Sequence, residues 1–479
     1  MKKRFKILIW SVLICLLLGG AGYFGWTWYD NNVDRSGWRE KDGVTMYADF
    51  HGKPVTGWQE IDGCRYYFRE DHGLYTGWLE ESGDTYYFNA DGRMQTLWMD
   101  DEEGRRYFGE DGVLRTAWQE IGESRYWFDE EGFMQTGWVE LEENLRYFRE
   151  DGTLASGWLE LEEGTYYLTE NGIPTAGWLE LEGARYCFDE AGILLTGWQE
   201  MEGVRYFFGD SGAAYTGWLE EAEGKYYFDD TGAMATGWRD IEEKRYYFSE
   251  AGTMHTGWLE QGEYLYYLLP DGTTAAGRME IEGKVHYFSP KGIRVLLVNP
   301  WNHMPGDYTL DLVEIENGFF VDAACAESLK AMMAAMEAEG LLPMFSSAYR
   351  NEEHQRSIWR SYVQRYMDAG YDEATANAMT AAFVAVPGTS EHHTGLAVDI
   401  VGYDYFYAGH PGSTMAVQAW LKEHCWEYGF ILRYTAEKQS ITGFASETWH
   451  FRYVGVDVSM DMKDSGLCLE EYLGAADAQ

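Results

Sequence analysis

The apolar residues of this chain follow three successive patterns, and each predicts a different kind of structure. After the basic start Met1-Lys2-Lys3-Arg4-Phe5-Lys6, an apolar run extends from Ile7 to about Trp26 with only Ser11 interrupting. About twenty such residues cross a bilayer as a helix, and the cations ahead of them stay on the cytoplasmic side. A secretory signal competes with this reading. No Ala-x-Ala-like cleavage site lies between Gly19 and Gly25, which favours an uncleaved N-terminal transmembrane helix within residues 1–31. On either reading the chain beyond about Asn31 lies outside the membrane.

The second pattern is a repeat. From Trp38 a tryptophan recurs every twenty residues, at Trp58, Trp78, Trp98, Trp118, Trp138, Trp158, Trp178, Trp198, Trp218, Trp238 and Trp258, and Arg278 takes the next place. In a unit such as Gly197 to Gly212, two short runs of aromatic and branched residues flank a Glu-Gly turn, and a second glycine-containing turn closes the unit. Each unit predicts one β-hairpin. A lone hairpin is marginal in water, so the units must stack, which makes residues 37–294 an all-β hairpin-repeat solenoid. Tyr66, Tyr86 and Tyr166 lie eight residues after a tryptophan and Phe68, Phe88 and Phe188 ten after, so on a strand they share a face. Position nine, as at Tyr67, Tyr87 and Tyr227, points the other way, so both faces are aromatic and one core cannot use them all. Leu97, Ala117 and Arg278 break the unit's pattern, which predicts lost sites and a terminal cap.

Beyond about Arg294 the period stops and ordinary globular patterning begins. Asp322 to Glu339 predicts a helix with Leu329, Met332, Met333 and Met336 on its apolar face and Gly340 as its stop. A strand from Leu341 to Arg350, a helix from about Glu352 to Met367, a loop opened by Pro387-Gly388, and a strand ending near Asp399-Ile400 follow. A helix over about Thr414 to Tyr428 then precedes strands around Phe430 to Tyr434 and His450 to Val454. Helices mixed with a small, mainly antiparallel sheet predict a C-terminal α+β domain over residues 296–474, large enough for its own core.

Composition narrows the function. A formal net charge of -43 excludes nucleic acid, whose phosphates need lysine and arginine to displace counterions. The 21 tryptophans and 36 tyrosines, concentrated before residue 290, exceed what packing needs and point to recognition by aromatic surfaces. The six cysteines form no close pair and no Cys-x-x-Cys, so neither a disulfide framework nor a zinc ribbon is indicated.

Candidate chemistry lies near the C-terminus. Ser390-Glu391-His392-His393-Thr394-Gly395-Leu396-Ala397-Val398-Asp399 and Glu447-Thr448-Trp449-His450 together offer two imidazoles and a carboxylate for a metal, with a second carboxylate to spare. A catalytic zinc takes three protein ligands and keeps one position for water, whose pKa falls to about 7. His392, Asp399 and His450 can be those ligands, and Glu447 can take the water's proton as general base. Arg350 is the candidate for stabilising an oxyanion or clamping a terminal carboxylate. His393 is expected to face solvent, and Trp449 to pack behind the site.

These segments, with Ser347-Ala348-Tyr349-Arg350, Gln355 and Gly429-Phe430-Ile431-Leu432-Arg433-Tyr434, resemble the VanY-type D-alanyl-D-alanine carboxypeptidases over about residues 296 to 473. The resemblance implies a Zn2+ enzyme with the ligands named above, which removes the terminal D-alanine from peptidoglycan stem peptides. It extends substrate binding to Ser390, Gln355 and Tyr349. The Gly-Trp and Tyr-Tyr-Phe units resemble the bacterial cell-wall-binding repeats of the choline-binding and glucan-binding kind. That resemblance implies a wall polymer as partner, either a choline-bearing teichoic acid or a glycan, held by Trp58, Trp78, Trp138, Trp158, Trp178, Trp198, Trp218, Trp238 and Trp258. The expected protein is a wall-tethered peptidase on the outer face of a bacterial membrane. L,D-carboxypeptidase, endopeptidase or D,D-dipeptidase activity, or a non-catalytic adhesin, remain the alternatives.

Overall fold

A computed structural model describes residues 34–406 and 413–476. The expected transmembrane helix falls on residues 1–31, outside the described residues, and among those described no helix is long and apolar enough to cross a membrane. Among the described residues the fold class is therefore corrected from three parts to two, β-hairpin repeats followed by an α+β domain. Contacts divide the chain into two compact units, one running to Met201 with Phe207–Tyr215, the other comprising Glu202–Tyr206 and the chain from Thr216.

Within the first unit the hairpins repeat as the tryptophan spacing requires, as in Gly57–Ile61 paired with Cys64–Phe68 and Gly157–Leu161 paired with Gly164–Leu168. In the hairpin Ile61 to Cys64 the two turn residues, Asp62 and Gly63, both have positive φ (51° and 75°), the type I′ turn that matches strand twist. The strand before each turn starts at a left-handed residue, glycine in most units. Leu97 (φ 63°) and Ala117 (φ 57°) adopt the same backbone at a steric cost that glycine avoids. Hairpins are joined by main-chain bonds one unit back, such as Leu74 N–H to the Thr45 carbonyl at 2.8 Å and Leu154 N–H to that of Arg125 at 2.8 Å. Position ten forms the buried column, with Phe68, Phe88, Phe108, Phe128 and Phe148 at most 1 % exposed. Position nine lies across the strand from the tryptophan, as in the pair Trp58 and Tyr67.

The second unit continues with hairpins from Gly217 to Phe228 onward, and a short strand, Arg294–Val295, adds to the last one. The α+β domain follows. Its elements are β1 (Leu312–Glu316), β2 (Phe319–Asp322), α1 (Ala323–Ala338), β3 (Pro343–Ser347), α2 (Glu352–Asp368), α3 (Glu373–Ala381), β4 (Ala397–Gly402), α4 (Thr414–His424), β5 (Phe430–Tyr434), β6 (Glu447–Tyr453), α5 (Val456–Ser465) and α6 (Leu469–Tyr472). The sheet is antiparallel in the order β3-β4-β6-β5. One face is closed by α1, whose Leu329, Met332 and Met336 meet Phe345, Val398, Ile400 and Phe451 in the core. Asp322 caps α1 and Asn351 caps α2, each accepting a main-chain N–H of the first turn.

A second core crosses the boundary expected near residue 295. Leu259, Tyr266, Leu268, Tyr287 and Ile293 of the last repeats pack with Val454, Val458, Met462, Leu469, Tyr472 and Leu473. Polar contacts follow the same seam: Tyr453 donates to Glu263 at 3.1 Å, and Lys291 pairs with Asp461 at 2.9 Å. The final hairpins and the α+β domain therefore share buried apolar surface, the non-directional term that dominates folding.

Candidate metal centre

Antiparallel pairing of β4 with β6 places Asp399 directly opposite His450, although 51 residues separate them along the chain. His392 comes from a single 3-10 turn, Glu391–Thr394, that Gly395 ends at φ 71°. An L side chain would be strained at Gly395, and a Cβ there would lie 2.8 Å from the Asp322 main chain, so the turn that aims His392 needs glycine. The three side chains converge: one candidate ligand atom from each lies within 4.8 Å of the others. Asp399 Oδ1 is 3.0 Å from His450 Nδ1, and Oδ2 is 3.4 Å from His392 Nε2.

The outward nitrogens are also committed. His392 Nδ1 donates to the Ala348 carbonyl at 2.7 Å, and His450 Nε2 donates to Glu391 Oε2 at 3.2 Å. Each ring therefore turns its remaining nitrogen toward Asp399, the arrangement a metal-bound imidazole requires. Two imidazoles and one carboxylate with free space beside them fit zinc, with three protein ligands and an open position.

Glu447 joins this group through an irregularity of β6. Residues three apart on a regular strand point to opposite faces. Here Leu432 pairs with Phe451 but Tyr434 pairs with Glu447, so two residues of β5 oppose four of β6. Thr448 and Trp449 are exposed within this irregular stretch, where regular alternation does not hold, and Glu447 Oε2 lies 3.8 Å from His450 Nδ1.

Electrostatics separate the roles. Burial pushes Glu447 up to about 7, against the pull of His450. Burial would raise Asp399, but His392 and His450 hold it well below the usual carboxylate range. Burial, with Arg350 adding to it, lowers His392 to about 4. Burial disfavours a charged His450 as well, yet its bonds to Asp399 and Glu391 raise the ring to about 9.

The group opens into a cleft of about 190 Å³ lined by Arg350, Gln355, Ser390, His392, Asp399, Glu447, Trp449 and His450, with Phe383, Val384 and Phe444 as apolar wall. Arg350 Nε and Gln355 Oε1 are buried with no partner among the described residues. A donor and an acceptor left open in the cleft wall are costly unless a ligand completes them.

Three expectations change. Tyr349 does not line the cleft, and its main-chain N–H donates to Phe320. Trp449 is 39 % exposed on the rim instead of packed behind the site. His393 is buried: Nδ1 donates to the Arg350 carbonyl at 2.7 Å and Nε2 accepts from Gly388 N–H at 3.2 Å, so it fastens the loop that carries Arg350. Sequence reasoning gave Glu391 no role, although the residue lies within the same motif as His392. Its only sequence signal was that motif.

Most of the tryptophans expected to hold a wall ligand meet aromatic side chains of their own and the following hairpin. Trp58 lies 5.4 Å from Tyr67 and 4.8 Å from Tyr86, and Trp158 5.2 Å from Tyr167 and 5.0 Å from Tyr186. Trp138, Trp218 and Trp238 repeat this three-ring arrangement with Tyr147 and Tyr166, Tyr227 and Tyr246, and Tyr247 and Tyr266. Others depart from it. Arg106 lies 5.2 Å over Trp78 where other units have tyrosine, Arg185 stacks 4.3 Å over Trp178, and His286 replaces the third ring at Trp258. Trp198 packs against Phe207 at 5.2 Å.

Residues 319–456 match the VanY family, D-alanyl-D-alanine carboxypeptidase. Residues 115–158, 195–236 and 235–278 match the choline-binding repeat, and 56–71 and 76–94 a cell wall binding repeat. The chain is 40 % identical over 179 residues to a D-alanyl-D-alanine carboxypeptidase of Enterococcus faecalis, an alignment covering 37 % of this chain and 65 % of that protein. It thus spans just under two thirds of that relative's length. Among solved structures, a variant of the vancomycin resistance D,D-pentapeptidase VanY in complex with Zn(II) is 40 % identical, with 37 % of this chain and 97 % of that one covered and a TM-score of 0.35. CbpJ from Streptococcus pneumoniae is 23 % identical, with 50 % and 100 % covered and a TM-score of 0.37. Through its C-terminal domain the chain belongs to the VanY D-alanyl-D-alanine carboxypeptidase family, and the hairpins ahead of that domain are choline-binding repeats.

Proposed function

We propose that this protein is a zinc-dependent D,D-carboxypeptidase that removes the C-terminal D-alanine from peptidoglycan stem peptides while its repeats hold it on a bacterial cell wall. The observation that carries this reading is the convergence of His392 Nε2, the Asp399 carboxylate and His450 Nδ1 beside a Glu447 held near neutrality by burial. His392, Asp399 and His450 would hold the zinc. When bound, zinc supplies Lewis acidity that polarises a carbonyl and makes water acidic enough to attack at neutral pH.

The chain's own groups supply the rest. Glu447, with a pKa of about 7, accepts a proton from the attacking water on its carboxylate and delivers it to the departing amine nitrogen. Arg350 offers the open Nε–H to a carboxylate or a developing oxyanion, and Gln355 Oε1 accepts a substrate N–H. Ser390, buried on the cleft wall, adds a hydroxyl to the same contact set. Phe383, Val384 and Phe444 give the small methyl side chains of alanine an apolar surface and displace water.

The three-ring clusters at Trp58, Trp138, Trp158 and Trp218 suit a quaternary ammonium, which aromatic faces attract by about 0.5–2 kcal/mol per contact, whereas Arg245 already lies 4.6 Å over Trp238 and Tyr266 is buried in the second core. A choline-bearing teichoic acid is thus the wall partner, with a glycan stacked on the indoles as the other candidate. Several weak sites on one chain raise the local substrate concentration without improving the catalytic centre. Replacing Glu447 by Gln tests the catalytic reading. Zinc content should be unchanged while turnover of a D-Ala-D-Ala peptide falls about 10²–10⁴-fold. Undiminished turnover removes Glu447 from the mechanism.

A further inference from the structure

The mechanism leaves one buried charge cluster unused, centred on Glu391. This residue is 2 % exposed, and its two oxygens divide their work. Oε2 accepts from His450 Nε2 at 3.2 Å, while Oε1 accepts from Arg433 Nε at 2.8 Å and Arg452 Nη1 at 3.1 Å. Arg433 also forks onto Glu470, at 2.9 Å from Nη1 and 2.5 Å from Nη2. The cluster reaches back to the chain leaving the last repeat: Arg452 Nη2 donates to the Leu296 carbonyl at 2.7 Å, and Asn299 Nδ2 to Glu470 at 3.0 Å.

Two carboxylates and two guanidiniums balance to neutral, yet such a cluster is poorly explained by stability. Apolar residues of equal volume often serve a fold as well or better, because desolvating charges is costly. What an apolar substitute cannot do is accept the Nε2–H of His450. That bond fixes the ring's tautomer, with the proton on Nε2 and the lone pair of Nδ1 aimed at Asp399 and the cleft. A carboxylate partner also makes the imidazole a more basic ligand.

We propose that Glu391 is a positioning residue that holds His450 in its metal-binding tautomer and orientation, and that Arg433 and Arg452 fix Glu391 itself against the segment that follows the repeats. The proposal rests on reading His392, Asp399 and His450 as the zinc ligands. Its test compares the full-length wild-type protein with Glu391→Gln and with the double variant Glu391→Gln/Arg452→Gln, which restores charge balance in the cluster. Zinc affinity is measured by competition with a chromophoric chelator, and the visible spectrum of the cobalt-substituted protein reports ligand geometry.

The proposal expects zinc binding about 10–100-fold weaker in Glu391→Gln, a shifted cobalt spectrum, and a kcat that falls more than KM changes. A purely structural Glu391 would lower the melting temperature and leave zinc affinity and spectrum alone. Folded Glu391→Gln protein that binds zinc within twofold of wild type overturns the proposal. If that variant does not fold, the double variant decides by the same criterion. Wild-type protein that takes up no zinc overturns the ligand reading itself, an outcome separable from an unchanged affinity in the variant.

Discussion

Cutting the chain at the boundary its sequence suggests, near residue 295, should yield a badly destabilised catalytic fragment. Val454, Val458, Met462, Leu469, Tyr472 and Leu473 are each at most 9 % exposed, and part of their cover comes from Leu259, Tyr266, Leu268, Tyr287 and Ile293 of the repeats. Burying such a side chain fully is worth about 2 kcal/mol, so re-exposing half of each of the six costs about 6 kcal/mol. A domain's whole net stability is about 5–15 kcal/mol. The loss also includes the contacts of Tyr453 with Glu263 and of Lys291 with Asp461, which add little at a solvated seam. The assay is thermal unfolding of residues 296–476 beside residues 216–476, which keep the repeat side of the seam. About 6 kcal/mol corresponds to a midpoint roughly 12–24 °C lower for a domain of this size. If the shorter fragment melts within 3 °C of the longer one, the shared core contributes little and the reasoning fails.

Two further outcomes follow from the site and the core. Arg350→Lys should keep its charge but lose the planar fork, lowering kcat/KM about 10²-fold with zinc content unchanged, as steady-state kinetics and metal analysis will show. Cys325 and Cys425 are fully buried, and burial pushes both thiols up to about 12, so neither should react with a disulfide reagent at pH 8 until the protein unfolds, whereas the partly exposed Cys64 should react in the native state. Mass spectrometry of the labelled peptides reads this directly.

How much the sequence disclosed depended on whether a feature is periodic, local or tertiary. The hairpins were legible because a twenty-residue period with a turn in each unit admits few structures, whereas with both faces aromatic the pattern left open which one holds the buried column. The convergence of His392, Asp399 and His450 was expected from two compact motifs taken together with their resemblance to VanY-type enzymes. The irregularity at Thr448-Trp449 was not, because strand alternation alone sets Glu447 and His450 on opposite faces. Nor was the burial of His393, whose partners are a carbonyl 43 residues back and the Gly388 amide. Helices α3 and α5 were both passed over, α5 because its few apolar positions face the last repeats. That seam is itself the hardest feature to foresee: Tyr266 and Tyr287 occupy aromatic positions of the repeat, and their sequence is the same whether a ligand, solvent or another domain covers them.

The most direct test of the account is to incubate the purified protein with a soluble pentapeptide ending in D-Ala-D-Ala, with and without a zinc chelator, and to quantify free D-alanine. The account predicts one D-alanine released per peptide, no release after chelation, and recovery when zinc is restored. Release that persists through exhaustive removal of metal, or no cleavage of the peptide by zinc-loaded protein, would contradict it.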